Sequence, residues 1–372
     1  MENKVKTIIG IDASRSNTAQ RTGTEYYSFE IIKEILKFKR EGVLFRLYSK
    51  TPLDYIERDD GVENKVMSFP KLWSQIRLSF EIFRNPPSVL FVPAHTIPLY
   101  HGKKTVVTLH DVGFKYFPEL YTPLERYYHN WCMKFSLKHA KEIIAISEAT
   151  KEDLIKLYEA DPKKITVIYH GYDKEKYFLK KEKSEKLEKI SPYIYFIGRL
   201  EAKKNITTLV KAFAILKQDE QIKHKLVLAG RPGYMYEEIK ELINSLDPKI
   251  KSDIVELGYV SDEDAPMYMR NADIFAFPSN FEGFGMPLVE AMASGVPVVA
   301  SDTTSIPEVV AGAGLLHNVH DAKELAEKLG ILINNPQEYK KFQELGLDRA
   351  SCFNWDDAAK KTLEVIERAA LD

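Results

Sequence analysis

The chain has 372 residues, of which 44% are hydrophobic and 29% charged, and a formal net charge of −1. That length points to two domains, because single cores stop growing beyond roughly 250–300 residues. The composition excludes disorder, collagen and coiled coil for the chain as a whole, and two cysteines, Cys132 and Cys352, cannot build a disulfide framework or a cysteine-rich metal site.

Met1–Lys6 lacks the pattern of a signal peptide. The first apolar run is Val5–Ile11, followed by a helical pattern over Glu25–Phe38 with Phe29, Ile32, Ile35 and Leu36 on one face. Strand-like runs then recur at Val43–Tyr48, Val89–Val92, Lys104–Leu109, Glu142–Ile146 and Ile165–Tyr169. The second half repeats the pattern at Tyr193–Ile197, Lys225–Ala229, Ile254–Leu257, Ile274–Phe277 and Val296–Ala300. Runs apolar on both faces are strands covered on both faces, hence parallel sheets wrapped by helices. Between the halves, Asp173–Lys189 is dense in charge and poor in core-forming residues, which reads as a linker. The final helical pattern, Trp355–Leu371, has no strand after it and is free to pack wherever space exists, including back across the first domain. The expected domains are 1–188, carrying helix 356–372, and 189–355. No run reaches the ~18 uninterrupted apolar residues of a membrane span.

Charge is uneven along the chain. Residues 1–190 carry 33 basic and 26 acidic side chains, whereas 191–372 carry 20 and 28. The basic excess lies in residues 65–141, with 11 basic and 4 acidic side chains.

In doubly wound sheets ligands bind beyond the carboxyl ends of strands, so motifs just after strands carry most weight. Gly198-Arg199-Leu200-Glu201-Ala202-Lys203-Lys204-Asn205 joins a strand to a helix. Its planar Arg fork and Lys point charge suit a diphosphate, and a helix N-terminus attracts anions. Glu282-Gly283-Phe284-Gly285-Met286-Pro287-Leu288-Val289-Glu290 places two carboxylates around a helix expected to start near Met286, with Glu290 on its first turn. Thr108-Leu109-His110-Asp111 ends a first-domain strand, and Arg21-Thr22-Gly23-Thr24-Glu25 opens the first helix with a single glycine. Asp262-Glu263-Asp264 has the form of a metal–diphosphate pair, but Ser261 three residues before Asp264 reads as a helix cap. No dinucleotide fingerprint, P-loop, nucleophile elbow or zincin motif is present.

Together these motifs resemble the retaining glycosyltransferases of family four, which have the GT-B fold. Ile146–Lys151 and Val167–Asp173 also look like that family, and Val92–Leu99 with the run from His110 to Phe114 looks most like bacterial mannosyltransferases of lipopolysaccharide and capsule pathways. The resemblance implies two Rossmann-like domains of α/β class facing across a crevice. It implies that Arg199 and Lys204 clamp a diphosphate, that Glu290 holds ribose hydroxyls, and that Glu282 holds donor-sugar hydroxyls. Backbone amides near Phe284, Gly285, Leu288 and Val289 would meet sugar and phosphate, the Val260 backbone would pair with the base, and His110 would lie near the transferred sugar. The glycine loop departs from the family's common two-glycine form, having only Gly23.

The expected activity is transfer of a hexose, mannose favoured, from a nucleotide diphosphate sugar to a hydroxyl of a glycan or lipid-linked acceptor, with retention. GDP-mannose is the favoured donor, with a UDP-sugar behind it. No cofactor, metal or nucleic acid is expected. The location is expected to be cytoplasmic, with peripheral contact to an anionic membrane through the basic stretch. A nucleotide-sugar epimerase of the same fold and an inactive sugar-nucleotide sensor are the alternatives; measured transfer to any acceptor would exclude both.

Overall fold

The computed structural model describes residues 7–18, 21–56, 60–180, 184–219 and 222–371. The opening residues 1–6 and the stretch 181–183 of the charged segment lie outside them. The chain forms two compact units: residues up to Gly171 together with those from Asn354 onward, and Tyr172–Phe353.

The first unit is built on seven parallel strands: β1 (Thr7–Asp12), β2 (Val43–Ser49), β3 (Val62–Val66), β4 (Val89–Val92), β5 (Thr105–Leu109), β6 (Glu142–Ala145) and β7 (Ile165–Val167). Their order is β3-β2-β1-β4-β5-β6-β7, so the direction of winding reverses between β1 and β4. Every residue of β4, β5 and β6 is buried, as strands covered on both faces must be. The edge strand β3, Val-Glu-Asn-Lys-Val, is polar and half-exposed and escaped the sequence reading for that reason. The last helix, Trp355–Leu371, packs on the helix Gly23–Ile35 and on β4, β5 and β6. Its buried face carries Ala358, Ala359, Leu363, Ile366 and Ala369, and Arg368 makes two hydrogen bonds to Glu142 at 3.1 and 2.8 Å.

The second unit has six parallel strands: β8 (Tyr193–Ile197), β9 (Lys225–Ala229), β10 (Ile254–Gly258), β11 (Ile274–Phe277), β12 (Val298–Ser301) and β13 (Leu315–His317). The order β10-β9-β8-β11-β12-β13 puts the reversal between β8 and β11. The three-residue edge strand β13 is too short to show a period. With its two switch points, the architecture is that of two doubly wound α/β units, the GT-B arrangement of elements.

The unit boundary falls at Gly171/Tyr172 rather than at residue 188, and again at Phe353/Asn354. The described part of the expected linker belongs to the second unit. Arg270 donates to the Lys176 carbonyl, its guanidinium stacks 4.8 Å from the Phe178 ring centre, and Leu187 is buried. A segment with charged tips therefore still has apolar anchors, which net composition concealed.

Candidate active site

In the second unit, the loop after β8 and the loop after β11 flank the switch point and are tied together. Asn205, in the left-handed conformation with φ 55°, donates from Nδ2 to the carbonyls of Pro278 (3.1 Å) and Val319 (2.7 Å). Asn is one of the few residues that adopts this conformation readily. Asn280 answers from the other side: its amide donates to the Lys203 carbonyl at 2.9 Å and its side chain to the Ala202 carbonyl at 3.0 Å. Below them Gly230 passes so close that a Cβ there would lie 1.7 Å from the Gly198 carbonyl oxygen. The cation-bearing loop is thus held by backbone contacts that only these residues permit.

This frame positions Lys204. Its Nζ lies 2.5 Å from Glu282 Oε1 in a largely buried pair, and 5.6 Å from the Phe277 ring centre. Glu282 is fixed by its backbone as well: its amide donates to Thr304 Oγ1 at 3.1 Å, and its carbonyl accepts from Ser305 Oγ at 3.0 Å. Thr304 and Ser305, after β12, were not singled out from sequence; hydroxyls in a strand-end loop are too common to stand out. Arg199 behaves differently. Its side chain is 68% exposed, with Nε 3.4 Å from Glu201, so the structure brings Lys204 and Glu282 together and leaves Arg199 at the rim.

The helix Met286–Ala293 begins after Gly285, whose φ of 95° favours glycine. Phe284, Leu288 and Val289 turn their side chains into the core, and Phe284 meets Phe353 edge-on at 5.6 Å. The Leu288 amide donates to the Gly285 carbonyl at 3.0 Å, so that expected donor group is already engaged. Glu290 is the fifth residue of the helix, one place beyond the first turn expected for it.

Burial pushes the Glu290 carboxyl up to about 7; Asp262 and Asp173 add to this, while a hydrogen bond from Tyr177 and the charge of Lys176 oppose it. Tyr177 was not foreseen, because it lies in the supposed linker. Asp262 lies in a turn ahead of the helix Ala265–Asn271, whose N-cap is Asp264 rather than the expected Ser261; the Asp264 amide donates to Ser261 Oγ at 3.1 Å within that turn. Val260 follows β10 and Gly258, and is partly exposed. Next to it the Arg231 guanidinium lies 4.3 Å from the Tyr259 ring centre, a flat polar surface the sequence reading missed.

In the first unit, His110 follows β5 and is 4% exposed. Its Nε2–H donates to the Pro93 carbonyl at 3.0 Å, and its ring meets Tyr27 edge-on at 4.8 Å. Burial, with His95 beside it, pushes His110 down to about 3, so the imidazole is neutral near pH 7. Gly23 is the first residue of its helix, and a Cβ there would meet nothing within 4 Å. The protein's own packing does not demand glycine at that place. Among the described residues, no group of three His, Cys, Asp or Glu could hold a metal ion, and no helix is long and apolar enough to cross a membrane.

Known proteins match this chain over most of its length. The chain is 29% identical to the O-antigen chain mannosyltransferase B of Escherichia coli, over 93% of this chain and 96% of that protein. Among solved structures, the sucrose-phosphate synthase of Thermosynechococcus elongatus superposes with a TM-score of 0.73 at 18% identity, covering 97% of this chain and 98% of that one. Anabaena Alr3699/HepE in complex with UDP-glucose gives 0.70 at 19% identity, over 97% and 99%. At such identity these two structures speak for the fold. The family model "Glycosyltransferase Family 4" matches residues 53–176 and "Glycosyl transferases group 1" matches 178–348, with one residue between them. The fold and both family matches converge: the chain belongs to these GT-B glycosyltransferases.

Proposed function

We propose that the protein transfers a hexose, mannose favoured, from a nucleoside diphosphate sugar to a hydroxyl of a glycan or lipid-linked acceptor, with retention at the anomeric carbon and without a metal. The observation that carries this reading is the Lys204–Glu282 pair beside the Gly285 turn, with Glu290 along the same helix. Lys204 has three N–H donors; one meets Glu282 and the others serve phosphate oxygens. As the glycosidic bond breaks, charge grows on the diphosphate, and a positioned cation stabilises it more than in the ground state. Glu282, opposite, accepts from donor-sugar hydroxyls, and Glu290 from the ribose. The mannosyltransferase name of the E. coli relative supports mannose, and UDP-glucose in the Anabaena complex supports a nucleotide sugar. GDP-mannose is the donor we favour, ahead of a UDP-sugar.

The first unit supports contact with an anionic membrane from a cytoplasmic site. Along residues 71–100, Leu72, Ile76, Phe80, Phe83, Leu99 and Tyr100 are exposed, and Phe83 meets Tyr100 at 5.2 Å. Lys65, Lys71, Arg77, Arg84, Lys103 and Lys104 accompany them, whereas the one acid of that region, Glu81, is buried against Lys65. Each cation near an anionic leaflet contributes about 1 kcal/mol. Equal sedimentation with neutral and anionic vesicles would remove this part of the proposal.

The test of the activity is a melting-temperature panel of nucleotide sugars followed by a transfer assay. A ligand at 100 times its Kd stabilises by about 2.7 kcal/mol. GDP-mannose is expected to raise the melting temperature and to yield an α-mannoside on an acceptor. Epimerised sugar without any transfer would overturn the reading.

A further inference from the structure

We infer that Thr304 and Ser305 are positioning residues for Glu282, and that through it they tune recognition of the donor's sugar and not of its nucleotide. This rests on the reading of Glu282 as the holder of donor-sugar hydroxyls. It goes beyond that reading in assigning two residues of another loop and the half of the donor they serve.

Two local preferences are broken side by side after β12. Thr304 has φ 53°, and among the described residues it is the one β-branched residue in the left-handed region. The two heavy atoms on its Cβ crowd the backbone there, so the conformation is strained. Ser305 stands at the N-cap of the helix Ile306–Val310, yet its hydroxyl does not cap that helix. A serine in that place ordinarily accepts from an amide of the first turn. Departures of this kind persist where the surroundings over-determine them, and they gather at functional sites.

Both departures serve one residue. The Glu282 amide donates to Thr304 Oγ1 at 3.1 Å, and Ser305 Oγ donates to the Glu282 carbonyl at 3.0 Å. Glu282 lies between β11 and the helix Met286–Ala293, in neither a strand nor a helix, so these two hydroxyls do for its backbone what a ladder would do elsewhere. Ser305 is buried. The same loop is held in the same manner nearer the sheet, where Ser301 Oγ donates to the Ser279 carbonyl at 2.6 Å. With its backbone held by the two hydroxyls and Oε1 paired with Lys204, Glu282 presents its second carboxylate oxygen in a set direction.

That direction matters to the sugar alone. A hydroxyl must meet the carboxylate at hydrogen-bond distance, and a misplacement of about 1 Å is enough to lose the contact. The diphosphate and ribose fall to Lys204 and Glu290, and Lys204 sits in a loop framed independently by Asn205 and Asn280. The strain also accounts for threonine at position 304. Glycine adopts φ 53° freely but brings no hydroxyl.

The test measures Kd for GDP-mannose and for GDP, with UDP-glucose and UDP as a second pair, together with the melting temperature. Thr304→Ala and Thr304→Gly are expected to weaken the nucleotide sugar about tenfold, the scale of one hydrogen bond to a charged group, with the free nucleotide unchanged. Thr304→Ser, which keeps the hydroxyl, is expected to bind as the wild type does. The glycine variant is expected to melt above the alanine variant, because it alone relieves the positive φ. Should Thr304→Ala fail to fold, Thr304→Gly decides, having no Cβ to crowd the backbone. Added to Glu282→Ala, the loss of Thr304 is expected to have no further effect on sugar binding, as for residues that act through one another. Equal losses for nucleotide sugar and nucleotide, a loss in the serine variant, or full additivity with Glu282→Ala would overturn the inference. Should Glu282→Ala itself leave nucleotide-sugar binding unchanged, the reading of Glu282 fails and the inference with it; inert Thr304 variants beside a weakened Glu282→Ala strike the inference alone.

Discussion

Lys204 Nζ and Glu282 Oε1 lie 2.5 Å apart, although the residues are 78 positions apart in the chain and come from loops after different strands. Lys204→Ala removes the cation and leaves Glu282, 12% exposed, without its partner. By analogy with loss of one oxyanion donor, turnover is expected to fall on the order of 10²–10³-fold. Donor Kd is expected to change much less, because the charge on the leaving group grows during reaction. Measuring kcat and donor Kd separately checks this; equal losses in both would assign Lys204 to ground-state binding.

Glu290 makes stability depend on pH in an unusual direction. Its carboxyl is pushed from 4.5 up to about 7 by burial, so between these values the folded chain holds a proton the unfolded chain has lost. Stability from this group is full below 4.5 and declines as pH rises through 7. Glu290→Gln is expected to raise the melting temperature at pH 8 and to leave it unchanged at pH 4.5. Nucleotide affinity should fall about tenfold at pH 8 in the same variant, since the lost bonds are to a charged group. Thermal scans and calorimetry at both pH values measure the two effects.

Tyr177 holds Glu290 from a segment only a few residues past the unit boundary. Its hydrogen bond favours the ionised carboxylate. Tyr177→Phe is therefore expected to move the midpoint of nucleotide binding to higher pH, and to weaken binding at pH 7 more than at pH 9. A uniform loss at all pH values would reduce Tyr177 to a packing role.

His110, held near 3, stays neutral and does not change its charge near pH 7. The pH–rate profile is expected to show no limb from this residue between pH 5 and 8. His110→Gln should lower turnover while leaving the limbs where they were, and a limb that vanished in the variant would contradict the neutral assignment.

The Ser261 hydroxyl engages the turn Asp262–Asp264 just ahead of the helix Ala265–Asn271, which speaks against that turn as a metal holder. Transfer is expected to survive EDTA. Complete loss in EDTA, restored by Mg²⁺ or Mn²⁺, would show that Lys204 and the helix N-terminus do not suffice.

Legibility from sequence followed burial. Strands buried on both faces, such as Val89–Val92 and Ile274–Phe277, were readable to the residue. The half-exposed β3 was not, because its polar residues mimic a loop. In the site, Glu282, Glu290 and Lys204 stood out by spacing, since charges just after apolar strands are rare enough to notice. What holds them was hidden: Asn205 and Asn280 act through backbone carbonyls distant in sequence, and Thr304 and Ser305 through a backbone amide and carbonyl. Such partners become visible only when the chain is folded. Tyr177 was lost to a charged neighbourhood that composition marked as a linker.

The final helix has a consequence for the order of synthesis. Residues 172–353 form a unit contiguous in the chain, so all its strands are synthesised before the last helix. The first unit begins earlier and ends later. Until Trp355–Leu371 arrives, the helix Gly23–Ile35 lacks the neighbour that covers Tyr27, and Glu142 lacks Arg368. The nascent first unit waits with an open apolar groove until this helix is made, and a stop codon that removed only its last two turns would keep Trp355 over Tyr27 but strip Glu142 of Arg368.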